Sequence, residues 1–190
     1  MFVCTRNSTH IIIDNELWVT GSNNSGQLGL NNYEDVDIFT KVNYKFDNSG
    51  LKSVSCGHNF SIVLTNNGHV FSAGANDRLQ LGIDKITNSK SYIQIPNLSK
   101  INMIKSTDYN TFASDIDGNL FVWGDFAENN YLPQKINLNH PVQNFFIHDF
   151  HFIILMNNQL YELDIDLSLK LIRTNISKYF NDYTIHQIIF

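Results

Sequence analysis

Five-residue strings of one kind recur along this chain. Leu17-Trp18-Val19-Thr20-Gly21, Val70-Phe71-Ser72-Ala73-Gly74 and Leu120-Phe121-Val122-Trp123-Gly124 each run aliphatic, aromatic, two further residues, glycine. Leu160-Tyr161-Glu162-Leu163-Asp164 is a fourth copy without the glycine. Gly21, Gly74 and Gly124 are 53 and 50 residues apart, and the fourth copy follows 40 residues later. Such a period marks a supersecondary unit that buries its apolar face only by stacking on its neighbours.

The flanks repeat as well. VSCGHNFSIVLTNNGHVFSAG (54–74) and IKSTDYNTFASDIDGNLFVWG (104–124) align, and Asn67-Gly68 and Asp117-Gly118 fall at one position. Asn-Gly and Asp-Gly between strand-forming residues signal a hairpin whose turn residues need positive φ. Each unit therefore reads as strand, tight turn, strand, glycine. In the first and fourth copies the turn shortens to Asp14-Asn15 and Asn157-Asn158.

Beyond the glycine, SNNSGQLG after Gly21 matches ANDRLQLG after Gly74. Gly21 and Gly26 have the G-x-x-x-x-G spacing of a phosphate loop. That chemistry needs Lys and then Ser or Thr after the second glycine, and Gln27 and Leu28 stand there instead. No helix signal follows to present its N-terminus to a phosphate. The segment reads as a turn whose glycine permits positive φ and whose leucine plugs a core.

The hairpin, the aliphatic-aromatic-x-x-Gly strand and the following Gln-Leu-Gly resemble the repeat of the regulator of chromosome condensation family. The likeness covers nearly the whole chain. The third copy keeps VWG but has DFAENNYLP in place of Gln-Leu-Gly, and the fourth keeps only the hairpin. The Gly-Gly doublet of kelch repeats and the closing Trp-Asp of WD repeats are missing. The resemblance implies an all-β fold of β-propeller-type repeats. The family's propeller is similar to a seven-bladed ring, of which about four blades are present here. The expected organisation is one repeat domain over 1–190, with repeats near 1–50, 51–100, 101–140 and 141–175 and a partial fifth at 176–190.

Two arrangements follow: an incomplete, open-arc propeller, or a small closed ring. An arc leaves apolar blade edges bare. The expected partner is then another protein, or a second copy of the chain, covering those edges. The last segment, Thr184-Ile185-His186-Gln187-Ile188-Ile189-Phe190, is expected to be a β-strand against the first or a neighbouring blade.

Composition narrows the partners. Charged residues are only 16% of the 190, the net charge is −5, and no basic stripe appears, so nucleic acid is not expected. Two cysteines, Cys4 and Cys56, are too few for a disulfide framework, and both read as small buried hydrophobes. The N-terminus lacks a secretory pattern. The most apolar run, FFIHDFHFIILM (145–156), falls short of the roughly 20 residues a spanning helix needs. A cytoplasmic or nuclear protein, not secreted and not in a membrane, is the expectation.

Catalytic chemistry has no anchor here. On one strand His148 and His151 would point to opposite sides, leaving Asp149 and His151 together, too few ligands for a metal. Nothing marks one nucleophile and base, and Asp117 is already explained by its turn. No catalytic, cofactor or metal residue is expected, and no cofactor. Trp18, Phe71, Phe121, Trp123 and Tyr161 read as core between blades. Tyr33, Tyr109, Phe126 and Tyr131 lie in or beside predicted connections, where exposed aromatics anchor protein interfaces. They are the candidate interaction surface. The leading expectation is a non-catalytic protein–protein interaction module. The resemblance offers guanine nucleotide exchange on a small GTPase as the alternative, though no exchange residue matches. An enzyme or lectin on a propeller scaffold is the third reading.

Overall fold

The computed structural model describes residues 2–4, 7–126, 129–148, 151–164 and 167–171. They form four antiparallel sheets of four strands, each in sequence order. Sheet one holds β1 (Phe2–Cys4), β2 (Ser8–Ile13), β3 (Glu16–Gly21) and β4 (Val36–Lys41). Sheet two holds β5 (Leu51–Cys56), β6 (Phe60–Thr65), β7 (Val70–Ala75) and β8 (Asn88–Gln94). Sheet three holds β9 (Ile101–Ser106), β10 (Asn110–Asp115), β11 (Leu120–Phe126) and β12 (Asn129–Ile136). Sheet four holds β13 (Val142–His148), β14 (His151–Met156), β15 (Gln159–Leu163) and β16 (Leu169–Leu171). The protein is all-β and propeller-type. The first strands β1, β5, β9 and β13 touch in succession, so the blades fan out in an arc. Among the described residues sheet four makes no comparable contact with sheet one. The segment 184–190 and the partial fifth repeat lie outside the described residues.

The turns sort into two kinds. Asp14-Asn15 (φ 50° and 63°) and Asn157-Asn158 (48° and 56°) are two-residue turns with both residues left-handed. In sheets two and three the strands separate one residue earlier. Thr65 N–H donates to His69 O, and Asp115 N–H to Asn119 O, so three residues form each loop. Only Gly68 and Gly118, both at φ 78°, are left-handed there. The expected two-residue Asn67-Gly68 and Asp117-Gly118 turns are thus corrected to three-residue loops, in which one left-handed residue suffices. Each loop also docks on the next blade: Ile101 N–H donates to Gly68 O and Val142 N–H to Gly118 O.

The pentad glycine has its own cause. A Cβ at Gly21, Gly74 or Gly124 would lie 2.3, 2.3 or 2.1 Å from the carbonyl oxygen of Asn7, Asn59 or Tyr109. That carbonyl accepts the N–H of the residue after the glycine, at 2.8, 2.8 and 3.2 Å. The ladder to the fourth strand shifts register there in all three sheets, and in sheets one and two a long loop follows.

The core lies between blades. Leu17, Val19 and Leu28 of sheet one meet Val54, Val63, Phe71 and Tyr92 of sheet two. Ile62, Leu64, Val70 and Leu81 of sheet two meet Ala113 and Trp123 of sheet three. Phe112, Leu120, Val122 and Phe126 of sheet three meet Phe152, Ile154 and Leu163 of sheet four. No single blade could bury this surface alone, and this dependence makes the period visible in the sequence.

Gln-Leu-Gly locks sheet one to sheet two and sheet two to sheet three. Leu28 and Leu81 are both fully buried. The Gln27 carbonyl accepts from Ser61 Oγ at 2.7 Å, and the Gln80 carbonyl from Trp123 Nε1 at 3.0 Å. The glutamine Oε1 atoms accept from their own loops, from Ser25 N–H at 3.0 Å and Arg78 N–H at 2.7 Å. Gly29 sits against the Tyr92 ring and Gly82 against Pro133. The phosphate-loop spacing has no free cradle. The N–H groups of Ser22, Asn23, Ser25, Gly26, Leu28 and Gly29 all donate within the protein.

Candidate interaction face

In a four-strand meander the first-to-second and third-to-fourth connections share one end of the sheet. Here they include residues 22–35, 57–59, 76–87 and 107–109. The second-to-third turns and the links between blades occupy the other end. Tyr33, Tyr109, Phe126 and Tyr131 therefore all belong to one end of the arc, although 98 residues separate the first from the last.

Phe126 and Tyr131 pack at the boundary of sheets three and four. Phe126 is the last residue of β11 and only 1% exposed. Its ring packs edge-on against Phe112 at 5.7 Å and lies 6.2 Å from Phe152 of sheet four. The third copy has no Gln-Leu-Gly, and Phe126 fills the corresponding gap between sheets three and four. As an exposed anchor Phe126 is corrected to a core plug. Tyr131 is on β12 opposite Gly124, half-buried, with its ring 6.3 Å from Phe126. It supports the plug.

Tyr33 reaches solvent, and Tyr109, like Tyr131, is half-buried. Tyr33 is 49% exposed, with Lys90 Nζ 6.0 Å from its ring centre. Its loop is fixed by the fully buried Asn23. Asn23 Nδ2 donates to Asn32 O and Oδ1, both at 3.0 Å, and its Oδ1 accepts Leu28 N–H at 2.9 Å. Asn76 repeats this in sheet two, donating to Ile83 O and Ile86 O and accepting Leu81 N–H. The signal was present in the sequence: Asn stands two residues after the pentad glycine in both copies.

Around Tyr109 a second cluster forms. Arg78 Cζ lies 4.2 Å from the Tyr109 ring centre, and Arg78 also pairs with Asp125. His58 stacks obliquely on the same ring at 6.1 Å. The Asp125 hydrogen bond first, and nearby negative charge after it, raise the Arg78 guanidinium above its ordinary range. The cluster bridges sheets two and three. Sequence spacing gave no hint of it, since Arg78 and Asp125 are 47 residues apart. Of the exposed side chains at this end, Glu34, Asp35, Asp77, Asp84 and Asp108 are acidic, against Lys85, Lys90 near the start of β8, and Arg78, which is paired with Asp125.

The opposite end holds a carboxylate staple. Asp47 accepts from Ser49 Oγ, Ser49 N–H, Thr65 Oγ1 at 2.6 Å and His69 Nδ1 at 2.7 Å. Partial burial works to raise its carboxyl. The bonds from Ser49, Thr65 and His69 outweigh burial and hold it at about 2. Both hydroxyls face Asp47 rather than the imidazole, so the arrangement pins the link between blades one and two and is no nucleophile–base pair.

Residues 148–151 do not form one strand. β13 ends at His148, β14 begins at His151, and the two are register partners across a hairpin. Asp149 lies outside the described residues. Among the described residues no three His, Cys, Asp or Glu side chains gather as a metal site would require, and no helix is long and apolar enough to cross a membrane. Cys56 is half-buried rather than buried. Cys4 and Cys56 hold equivalent places, opposite Thr9 and Ser61.

Known proteins share this repeat. The family model "Regulator of chromosome condensation (RCC1) repeat" matches residues 14–64, and a second model of the same description matches 51–80. These are the copies in which Gln-Leu-Gly is intact. The X-linked retinitis pigmentosa GTPase regulator of Canis lupus familiaris is 33% identical over 141 residues, covering 68% of this chain. The chain spans only 14% of that relative's length. The secretion-regulating guanine nucleotide exchange factor of Bos taurus is 34% identical over 113 residues, covering 58% of this chain and 24% of the relative. Among solved structures, Prp20p of Saccharomyces cerevisiae superposes with a TM-score of 0.73 at 20% identity, covering 85% of this chain and 42% of Prp20p. Its blades share this fold. Matching repeat, matching fold and the blade-locking loop together place the chain in the regulator of chromosome condensation repeat family, with about four degenerate copies.

Proposed function

We propose that the chain is a non-catalytic protein–protein interaction module and that its binding face is the loop end carrying Tyr33 and Tyr109. The observation that supports this most is Tyr33 itself. It is a half-exposed aromatic on a loop held by a buried asparagine. Anchors fixed before binding lose little entropy when a partner arrives. Tyr109 offers a second anchor, braced by Arg78. The surplus of acidic side chains on these loops favours a partner with a basic surface. Prp20p is described by its binding to Gsp1p and histones, which is consistent with a family whose propellers engage proteins. A site in the cytoplasm or nucleus follows as part of the same reading.

The test uses the full chain immobilised as wild type, as the double variant Tyr33→Ala/Tyr109→Ala, and as Asn158→Ala at the opposite end. Proteins retained by the wild type and Asn158→Ala should be lost from the double variant. Equal retention by all three would count against the loop end as the binding face.

The names of two relatives, a GTPase regulator and an exchange factor, favour one second reading: guanine nucleotide exchange on a small GTPase. Release of labelled GDP from small GTPases separates the two readings. The module reading expects no acceleration by the chain, whereas the exchange reading expects a catalytic increase.

A further inference from the structure

Asn67-Gly68 is the one Asn-Gly pair in the sequence. Glycine has no Cβ to hinder its own amide nitrogen, so that nitrogen can attack the carboxamide of the asparagine before it. Asn67 is exposed in the loop between β6 and β7. Its N–H donates to Ser49 Oγ at 3.0 Å, but its carboxamide makes no hydrogen bond among the described residues. Other amides of these loops are tied down. Asn66 Nδ2 donates to Ser49 O at 2.8 Å, and Asn119 Nδ2 to Asp115 Oδ2 at 2.7 Å.

The nucleophile, in contrast, is held. Gly68 is buried against the next blade. Its N–H donates to Thr65 O at 3.0 Å, and its carbonyl accepts Ile101 N–H at 3.1 Å. Ring closure needs that nitrogen released from Thr65 and turned towards Asn67 Cγ. The loop must therefore lift off sheet three before it can react, a local opening of the kind that exposes a segment without unfolding the chain.

We propose that Asn67 is a self-modification site, gated by the seating of its loop on sheet three. In the open loop a bond forms between Gly68 N and Asn67 Cγ, and the Cγ–Nδ2 bond breaks. Ammonia leaves with the proton that Gly68 N gives up. Water then opens the five-membered imide at one of its two carbonyls, leaving aspartate or isoaspartate. The repeat register shows that the two products differ in consequence. Asp117 holds the position of Asn67 in sheet three, in a loop of the same form with Gly118 at the same φ of 78°. Aspartate thus suits the loop. Isoaspartate carries the main chain through an extra methylene, which displaces Gly68 and breaks its bond to Ile101. Either product also places a carboxylate beside Ser49, whose hydroxyl already serves the ionised Asp47.

The experiment is peptide mapping by mass spectrometry of the full chain aged in mildly alkaline buffer, folded or in guanidinium. Exchange of NH2 for OH marks conversion, and chromatography separates the two products. In the folded chain Asn67 should convert ahead of every other mapped asparagine, and in guanidinium it should convert about tenfold faster or more. Ile101→Ala and Leu98→Ala loosen the apolar cluster under the loop and should give intermediate rates wherever circular dichroism shows the variant folded. Asn67→Gln keeps the amide but cannot readily close a five-membered ring, and should stay unconverted at that position. Equal rates in the folded and denatured chains would overturn the gate. An unconverted Asn67 in the folded chain, or faster conversion at another asparagine, would overturn the site.

Discussion

His10 should make this protein lose stability in mild acid. Its side chain is fully buried between sheets one and two. Nε2 lies 3.2 Å from the Gln27 carbonyl, which can only accept, so Nε2 carries the proton of the neutral ring. Nδ1 has no hydrogen-bond partner among the described residues, so a second proton there would find no acceptor. Burial lowers the imidazole from its ordinary 6.5 to about 4, against a smaller opposite pull from the Gln27 carbonyl. The unfolded chain therefore binds a proton that the folded chain refuses between pH 6.5 and 4. The stabilisation is complete above pH 6.5 and is lost as the pH falls towards 4. At about 1.4 kcal/mol per pKa unit the full window corresponds to about 3 kcal/mol, of which about 2 kcal/mol is lost between pH 7.5 and 5. The assay is urea unfolding at both pH values, in wild type and in His10→Leu, followed by Trp18 on the strand next to His10. The variant loses one donor to Gln27 O, but Ser61 still satisfies that carbonyl, so its cost at pH 7.5 should stay near about 1 kcal/mol. Its stability should then fall by about 2 kcal/mol less than the wild type on acidification. Parallel losses in the two proteins would refute the reasoning.

The turns, the plugs and a strained loop give three further expectations. Gly68→Val and Gly118→Val should each lower the melting temperature, costing about 1–3 kcal/mol for the left-handed backbone alone. An added Cβ would also lie 2.7 Å from Ile101 N or 2.5 Å from Pro141 Cβ, so unchanged melting would contradict the three-residue turns. Leu28→Ala and Leu81→Ala should each cost about 2–5 kcal/mol in denaturant unfolding, because each plugs a blade interface; losses below about 1 kcal/mol would show the loops to be surface features. Leu79 holds φ 58° where the first copy has Gly26. Leu79→Gly should therefore raise stability or leave it unchanged, and a clear loss on thermal melting would mean that Leu79 is held there by packing.

The sequence carried the architecture because propeller-type blades repeat their local chemistry. The pentad glycines, the hairpin turns and Gln-Leu-Gly recur wherever the same backbone constraint recurs, as at Asn7, Asn59 and Tyr109, whose carbonyls exclude a side chain at the matching glycine. Asn23 and Asn76 were equally legible, but their role as loop braces depends on bonds that close only after the turn forms. Turn length was not legible. Asn-Gly fits both a two-residue turn and the end of a three-residue one, and where Thr65 and His69 pair decides between them. Phe126 was misread for a related reason. With Gln-Leu-Gly lost from the third copy, its replacement plug looked like an aromatic in a connection, and only the contact with Phe152 on the next blade gives its place. The Arg78–Tyr109–Asp125 cluster joins two blades and has no local signature at all.

The arc depends on the loops of sheets one and two being seated in the blade that follows each. The indole of Trp123 reports on it directly, since its Nε1–H donates to the Gln80 carbonyl across the boundary between sheets two and three and the side chain is fully buried. Hydrogen exchange of the two indole protons, followed by nuclear magnetic resonance, makes the comparison within one molecule. Trp123 should exchange far more slowly than the half-exposed Trp18, and Leu81→Ala should speed Trp123 selectively. Equal, rapid exchange of both indoles in the wild-type chain would contradict the blade-locking loop and the arc built on it.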